Sequence, residues 1–438
     1  MGATTIRREF CSVEALWDER GWIEVSVVFG ARVLQARVLR SLPSGVVAER
    51  VGWRPERLSR LERRDRVEVD DADVAKLREV LRVSEAFLTT APVAHVDERS
   101  LSFRAPASMT QRERKYLTQF AALVEEFIDR VTRVNPLPPV RLPRLRPGGS
   151  IVAAAAAARE AMGISDGPIG SLTMAMERAG IPVVMRSAAS VGSISGEADM
   201  SERHIGLSAW LGEFADQPLV MMPALSSWER TRWTLAHELG HICLHRGGVT
   251  GAEVEDEAHA FAGEFLAPIS QVAPELPAQV TLTALIDVKV RWGVSIGALI
   301  MHLSRHHVID AERTRTLQRQ LYTRKNPDTG RSWGVDEPAA DVRTAERPRL
   351  LMKWLERSTG SQSPQMFAAL PEVVLPPDLV AAVLANQRLG RSAQTAPAAD
   401  AAVWLFVAGP DAGFEADIKA AADQGDGLAK VVPLSRRR

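Results

Sequence analysis

Residues 226–248 read SSWERTRWTLAHELGHICLHRGG, and this stretch decides how the middle of the chain folds. Ser226 and Glu229 have the spacing of a capping box, in which two side chains satisfy free backbone N–H groups at the start of a helix. Gly247 and Gly248 supply a common signal for a helix end. The sequence therefore predicts one helix across this stretch.

The motif HELGH at residues 237–241 lies inside the expected helix. Because side chains at positions i and i+4 share one helix face, His237 and His241 can bind one metal ion. Glu238 is turned by about 100° from His237, so it can reach a water molecule and serve as general base for attack on a peptide carbonyl. The alternative is a pair of surface histidines beside a glutamate. Apolar residues on the same side, such as Trp233, favour a buried or cleft-lining site.

A third metal ligand is expected in TGAEVEDEAHAFAGEFLAP, residues 250–268, which predicts a second helix. On this helix Glu255 and His259 share one face. We expect Glu255 to be the third ligand, and His259 to orient a ligating imidazole from one turn away. Glu257 lies on a different stripe and is the alternative third ligand. His245, at the end of the first helix, fits a helix-end histidine better than a fourth ligand.

The two helices resemble the ImmA/IrrE family of zinc metallopeptidases. The resemblance runs from about residue 149 to 338 and rests on RWTLAHELGH at 232–241, on Glu255, and on the later Phe261-Ala262 and Phe265-Leu266-Ala267-Pro268. It implies Zn²⁺ bound by two histidines and a glutamate, with Glu238 catalytic. It also implies a protein substrate that is itself a helix-turn-helix repressor, cut in a stress, phage or mobile-element response. At His259 the chain departs from the family, which usually has Asn or Asp there.

The N-terminal part is strongly basic. Four or five short amphipathic helices are expected within residues 29–92, including Ser44–Val51 and a helix that begins at Pro55. Residues 32–66 contain ten arginines against Glu49, Glu56, Glu62 and Asp65, a net charge of +6. Arginine matches phosphate oxygens and guanine edges, so a short basic helix after a tight turn suits the DNA major groove. The alternative is a solvated basic face on an ordinary helical bundle.

This basic stretch resembles the XRE-type helix-turn-helix of phage-repressor-like regulators, with Leu42–Gly52 and Leu58–Glu62 in the positions of the family pattern. The resemblance implies binding of double-stranded DNA, and a homodimer is expected because such modules read paired half-sites. Ser44 stands where the family has Gln. The residues expected to contact DNA are Ser44, Arg54, Arg57, Arg60, Arg63 and Arg64.

These signals divide the chain into five regions and predict a multidomain, mainly α protein. An N-terminal extension, 1–28, precedes an all-α helix-turn-helix domain, 29–92. Residues 93–148 are expected to form a helix at Thr110–Val134 and a Pro-rich linker. An α+β zincin-like, gluzincin-type metallopeptidase domain with a small sheet follows at 149–339, and 340–438 has no usable motif. The sheet strands are expected at 181–186, 204–211 and 218–222. An edge strand beside the metal is expected to hold an extended substrate.

Composition excludes several classes of protein. The 438 residues carry 54 basic and 54 acidic side chains, so the chain is not a uniformly basic nucleic-acid binder. Two cysteines, Cys11 and Cys243, cannot supply a disulfide framework or a thiolate zinc site, and Cys243 is expected in the core. No segment has the apolar length of a signal peptide or of a membrane span, so a cytoplasmic protein without membrane contact is expected.

Together these features predict a DNA-binding transcriptional regulator with a zinc endopeptidase domain, which cleaves a partner repressor or its own 93–148 linker. Two alternatives remain open. In one, the peptidase-like domain is a non-hydrolytic sensor of a ligand or metal. In the other, both modules dock other chains.

Overall fold

The computed structural model describes most of the chain. The described residues are 16–18, 21–23, 25–93, 96, 101–103, 110–133, 135–145, 148–186, 206–225, 227–246, 251–327, 329–370 and 373–387. Within them, no helix has the length and apolar character required to cross a membrane.

The N-terminal part combines short helices with short strand pairs. In chain order its elements are β1 (Leu16–Asp18), β2 (Gly21–Ile23), β3 (Val25–Phe29), α1 (Gly30–Leu39), α2 (Ser44–Val51), α3 (Pro55–Glu62), β4 (Arg66–Asp70), α4 (Asp71–Leu81) and α5 (Glu85–Thr89). The helices agree with those expected between 29 and 92. The all-α expectation is wrong in one respect, because β3 and β4 pair as antiparallel strands. The β-branched run VSVVF of β3 favours an extended strand.

A three-residue turn joins α2 and α3. Helix α2 ends at Gly52, which has the left-handed φ of 80°, and α3 has Pro55 at its first position. The apolar side chains of the two helices point inward. The buried residues are Val47, Ala48, Val51, Leu58 and Leu61. The polar side of α3 is left on the surface.

The middle of the chain holds a four-stranded sheet flanked by helices. Its elements are β5 (Leu101–Phe103), α6 (Gln111–Thr132), α7 (Ile151–Ala161), α8 (Leu172–Arg178), β6 (Val183–Arg186), β7 (Leu207–Leu211), β8 (Gln217–Pro223), α9 (Trp228–Leu244), α10 (Ala252–Leu266), α11 (Ile269–Val272), α12 (Leu282–Trp292), α13 (Ile296–Arg305) and α14 (Ala311–Thr323). The strand order is β5-β7-β8-β6. Strands β6 and β8 are parallel, whereas β7 is antiparallel to both β5 and β8.

Strands β6, β7 and β8 lie where the sequence predicts strands, whereas β5 was not predicted. The expected strand 204–211 begins at Leu207, and His204 lies outside the described residues. Strand β5 comes from the region interpreted as helix and linker, and it pairs with β7 through Leu101 opposite Ala209. The sheet therefore draws on residues from both sides of the expected linker.

The two faces of the sheet belong to two different hydrophobic cores. Successive side chains of a strand point to opposite faces. Val184, Leu207 and Met221 contribute to a core formed with α1–α6 and the C-terminal helices. Val183, Val220 and Met222 contribute to a second core formed with α7–α14. The sheet is thus a common wall between the N-terminal helices and the helices around HELGH.

Helix α6 and the Pro-rich stretch are parts of this packed structure. Helix α6 begins with the capping box of Thr110 and Glu113 and packs on α1. In the Pro-rich stretch, the N–H of Arg141 donates to the carbonyl of Ala179 at 2.9 Å. The indole of Trp354 donates to the carbonyl of Asn135 at 2.8 Å. The stretch expected to be a Pro-rich linker is therefore anchored to the folded part of the chain at two points.

Part of the C-terminal region completes the first core. Helices α15 (Leu350–Thr359), α16 (Pro364–Ala368) and α17 (Pro377–Val383) follow α14, and α15 and α17 pack on α6. One Glu177 carboxylate oxygen accepts the N–H groups of Arg349 and Leu350, both at 2.8 Å. The region 340–438, which has no usable sequence motif, therefore contributes helices to the first core before residue 387. Residues 388–438 lie outside the described part.

Candidate metal centre

Helix α9 carries the HELGH motif and is slightly shorter than expected. It begins at Trp228, and the cap is Ser227, whose hydroxyl oxygen accepts the N–H of Arg230 at 3.2 Å. Ser226 lies outside the described residues. Glu229 contacts the Ser227 hydroxyl at 2.8 Å. The helix ends at Leu244, so the motif occupies its third and fourth turns and is held between rigid helical segments.

Helix α10 approaches α9 closely at the glycine of the motif. A Cβ atom on Gly240 would lie 3.2 Å from the Cα of Ala258 and 3.2 Å from the ring of Phe261. A glycine here lets the two helix backbones come together. This contact places Glu255, one turn before Ala258 on α10, beside the two motif histidines.

The structure brings His237, His241 and Glu255 together. The Nε2 atoms of the histidines are 3.1 Å apart, and the Glu255 carboxylate oxygens are 3.3 Å from His237 Nε2 and 3.4 Å from His241 Nε2. Zinc ligands at 2.0–2.2 Å in a tetrahedron lie about 3.4 Å from one another. The spacing of the three donors therefore fits a single zinc-sized ion.

Burial and charge also suit a cation at this point. Both histidine side chains are buried, whereas the Glu255 side chain is 33% exposed, so the triad has one side open towards solvent. Burial alone would raise the pKa of Glu255, but the hydrogen bonds and charges of His237 and His241 hold it well below its usual range. The Glu255 carboxylate is therefore anionic at neutral pH.

Glu238 is buried between α9 and the start of β7. A Cβ atom on Gly206, the residue before β7, would lie 2.5 Å from Glu238 Oε1. A side chain at 206 would displace the carboxylate, so this glycine defines the space in which Glu238 lies. The sequence offers no local signal for this role, since Gly206 precedes Glu238 by more than thirty residues.

The alternative ligands have other contacts. Glu257 Oε2 lies 2.8 Å from Nε2 of His245, so it contacts the helix-end histidine rather than the motif pair. Burial lowers the pKa of His245 in the first place, and the Glu257 hydrogen bond opposes this shift. The ring of His259 lies with its centroid 4.4 Å from that of His237.

Cys243 is half-buried and packs against the second core, in agreement with its expected place. Burial raises the pKa of its thiol to about 12. In the absence of a metal it is therefore a neutral packing residue.

The expected DNA-contacting arginines lie on the surface of α3 and at both of its ends. The exposed side chains are those of Arg54, Arg57, Arg60, Arg63 and Arg64. Arg57 is also held within the protein, because its guanidinium lies 4.0 Å from the Trp53 ring centroid and 2.9 Å from an Asp73 oxygen. Ser44 begins α2, and its hydroxyl oxygen is buried. The arginines are thus better placed than Ser44 for contact with another molecule.

Other arginines of the basic stretch are also paired within the protein. Their partners are Glu126 for Arg32, Glu62 for Arg37 and Asp378 for Arg40. Because Glu126, Asp378 and the Asp73 that contacts Arg57 lie outside residues 32–66, the net charge of that stretch overstates the free positive charge, which is concentrated around α3.

Comparison with known families supports a peptidase domain. The model of the IrrE N-terminal-like domain, an M78 peptidase family, matches residues 177–304. The match covers α9 and α10, and it is narrower than the 149–338 resemblance. Among curated proteins no match is found. Residues 177–304 are therefore similar to a metallopeptidase domain, and they contain His and Glu groups that could hold a metal ion.

Proposed function

We propose that the chain is a zinc metalloendopeptidase in which His237, His241 and Glu255 hold the metal and Glu238 is the general base. The observation that carries the proposal is the set of 3.1–3.4 Å distances among the three donors. Two histidines and a glutamate form a donor set of catalytic zinc sites, which keep a fourth position open. The match to a peptidase family supports the same assignment.

The chain's own residues account for proton transfer in such a reaction. A bound zinc ion supplies a Lewis acid for the scissile carbonyl and lowers the pKa of water. Glu238 accepts the proton of the attacking water and returns it to the leaving nitrogen. Its carboxylate is fixed for this role by burial in α9 and by the space left at Gly206.

We extend the proposal to a regulator that binds double-stranded DNA through the exposed arginines of α3 and works as a homodimer. Its substrate is a protein, either a helix-turn-helix repressor or the chain itself. The free positive charge around α3 supports DNA binding, since phosphate neutralisation dominates such affinity. The short turn between α2 and α3 is compatible with a helix presented to a groove.

The experiment combines metal analysis with detection of cleavage. Wild type, Glu238→Gln, Glu255→Gln and Glu257→Gln are expressed in the same host. Their zinc content is measured, and new protein N-termini are identified by mass spectrometry, including those of the chain itself. We expect Glu255→Gln to bind one zinc ion fewer per chain than wild type, and Glu257→Gln to bind as many as wild type. We expect Glu238→Gln to keep zinc and to generate none of the new N-termini that wild type generates.

Two results would overturn parts of this proposal. A zinc content of Glu255→Gln equal to that of wild type would remove the ligand assignment. If wild type and Glu238→Gln give the same N-termini, hydrolysis is not the output and the domain is a sensor.

A further inference from the structure

A second pair of histidines repeats the spacing of the first. His302 lies in α13, and His306 is the C-terminal cap of that helix. Four residues separate them, so both rings lie on one face, with centroids 4.8 Å apart. Glu264, in the last turn of α10, faces both rings. Within the described part of the chain, these residues and the triad of α9 and α10 are the two groups whose potential metal ligands converge.

The distances in this second cluster suit the same kind of ion. Glu264 Oε2 lies 3.6 Å from His302 Nε2 and 3.2 Å from His306 Nε2. These two distances lie on either side of the separation of about 3.4 Å between neighbouring ligands of tetrahedral zinc. The donor set, two imidazoles and one carboxylate, is identical to that of the first site.

The Glu264 carboxylate is buried and lacks a strong cationic partner among the described residues. Its side chain is 5% exposed. Its backbone contact is with the N–H of Ile269, 3.3 Å from each oxygen. The nearby Arg159 gives its N–H groups to the carbonyls of Phe265, Ser165 and Gly167. Buried carboxylates are usually paired or bound to a metal, so a divalent cation would supply the missing charge.

The cluster is accessible from solvent, and without a metal His302 can make a hydrogen bond instead. The side chain of His306 is 21% exposed, so an ion can enter from its side. Nε2 of His302 lies 2.9 Å from the carbonyl oxygen of Ala267, to which it can donate a hydrogen bond. Binding of a metal through Nε2 requires the neutral ring to carry its proton on Nδ1 instead, and the carbonyl then remains as a further oxygen close to the cluster.

We propose that Glu264, His302 and His306 form a second site for a zinc-type divalent cation, separate from the one in α9 and α10. Such an ion ties the end of α10 to the end of α13. Glu255 and Glu264 are nine residues apart on α10, about 13 Å along the helix axis. The two sites therefore lie towards opposite ends of one helix, and the second fixes the helix that carries a ligand of the first.

Metal stoichiometry tests this proposal with two neighbouring histidines as a matched pair. The partly exposed His306 is replaced in His306→Ala, and the exposed, adjacent His307 in the control His307→Ala. Purified full-length proteins are stripped of metal, reloaded with Zn²⁺ or Co²⁺, dialysed and analysed for metal per chain. We expect two ions for wild type and for His307→Ala, and one for His306→Ala. Far-UV circular dichroism shows that each variant is folded.

The first site is removed separately so that the two proposals can fail independently. His237→Ala is expected to keep one ion, and the double variant His237→Ala/His306→Ala none. A metal-dependent rise in Tm should persist in His237→Ala and disappear in the double variant. One ion in wild type that folded His306→Ala keeps, or two ions in folded His306→Ala, would overturn the second site. Two ions in folded His237→Ala would instead overturn the first.

Discussion

Gly206 and Glu238 fit one another across the boundary between sheet and helix, since a Cβ atom at 206 would lie 2.5 Å from Glu238 Oε1. Gly206→Ala must therefore move the carboxylate. Misplacement of a catalytic group by about 1 Å can cost about 100-fold in rate. We expect Gly206→Ala to lose about that factor in cleavage while it keeps its zinc.

The measurement is cleavage rate together with zinc content. Gly170→Ala is the matched control, because a Cβ atom at 170 meets nothing within 4 Å. Equal rates for Gly206→Ala and Gly170→Ala would contradict the assigned role of the glycine.

The buried ion pair of Arg32 and Glu126 is expected to be important for stability. The guanidinium and carboxylate form two hydrogen bonds, at 2.6 and 2.7 Å, between α1 and α6. Removal of one partner leaves a buried charge, so Glu126→Ala should lower the free energy of unfolding by about 3–5 kcal/mol. The exposed pair Arg78–Glu85 is the control, and Glu85→Ala should cost about 1 kcal/mol or less. Urea denaturation measures the free energy of unfolding of both variants. Similar losses of unfolding free energy in the two variants would contradict the prediction.

Glu177 is expected to make stability depend on pH. Burial raises the pKa of its carboxyl from 4.5 to about 7, although the N–H groups of Leu350 and Arg349 act in the opposite direction. The folded protein therefore binds this proton more tightly than the unfolded chain. The resulting stability is fully present below pH 4.5 and is lost as the pH rises towards 7.

Glu177→Gln should abolish this loss, because the amide oxygen can still accept both N–H groups without a charge. Relative to wild type, the variant should gain about 2–3 kcal/mol in unfolding free energy between pH 4.5 and pH 8. Urea denaturation at the two pH values measures this gain, with the exposed Glu160→Gln as control. A pH-independent difference would count against the buried carboxyl as its source.

The arginines of α3 are expected to contribute salt-dependent DNA affinity. Arg60→Ala and Arg63→Ala should each weaken binding to duplex DNA and reduce the slope of log K against log salt by about one. Arg319→Ala, exposed on α14, should change neither quantity. Fluorescence anisotropy over a salt series measures both. Equal effects of the three substitutions would show that α3 is not the contact surface.

The parts of the site that sequence alone predicts are those governed by helix periodicity. Spacing of four residues aligns His237 with His241, and the shared helix face favours Glu255 over Glu257. Gly206 could not be found in this way, because its role arises from a strand that returns to α9. The same spacing occurs in His302 and His306, but its significance depends on Glu264, which belongs to another helix.

The features of the fold that the sequence did not predict depend on pairing between residues far apart in the chain. Arg32 looked like one more basic surface residue, yet it is neutralised by Glu126, 94 residues away. Strands β3 and β4 each need the other for their backbone hydrogen bonds, and they are separated by three helices. Local patterns predict helices well, whereas strand partners and buried ion pairs depend on the complete fold.

The pairing of β5 with β7 makes access to the site a matter of competition. Leu101 lies opposite Ala209 and Phe103 opposite Leu207, one residue from Gly206 and the adjoining Glu238. Within the described strands, β7 is therefore an interior strand, and β5 and β6 are the edges of the sheet. An incoming polypeptide that pairs with β7 on this side must first displace β5. In the described residues, β5 pairs with β7 through three residue pairs. A longer extended segment could form more backbone hydrogen bonds with β7 and so replace β5.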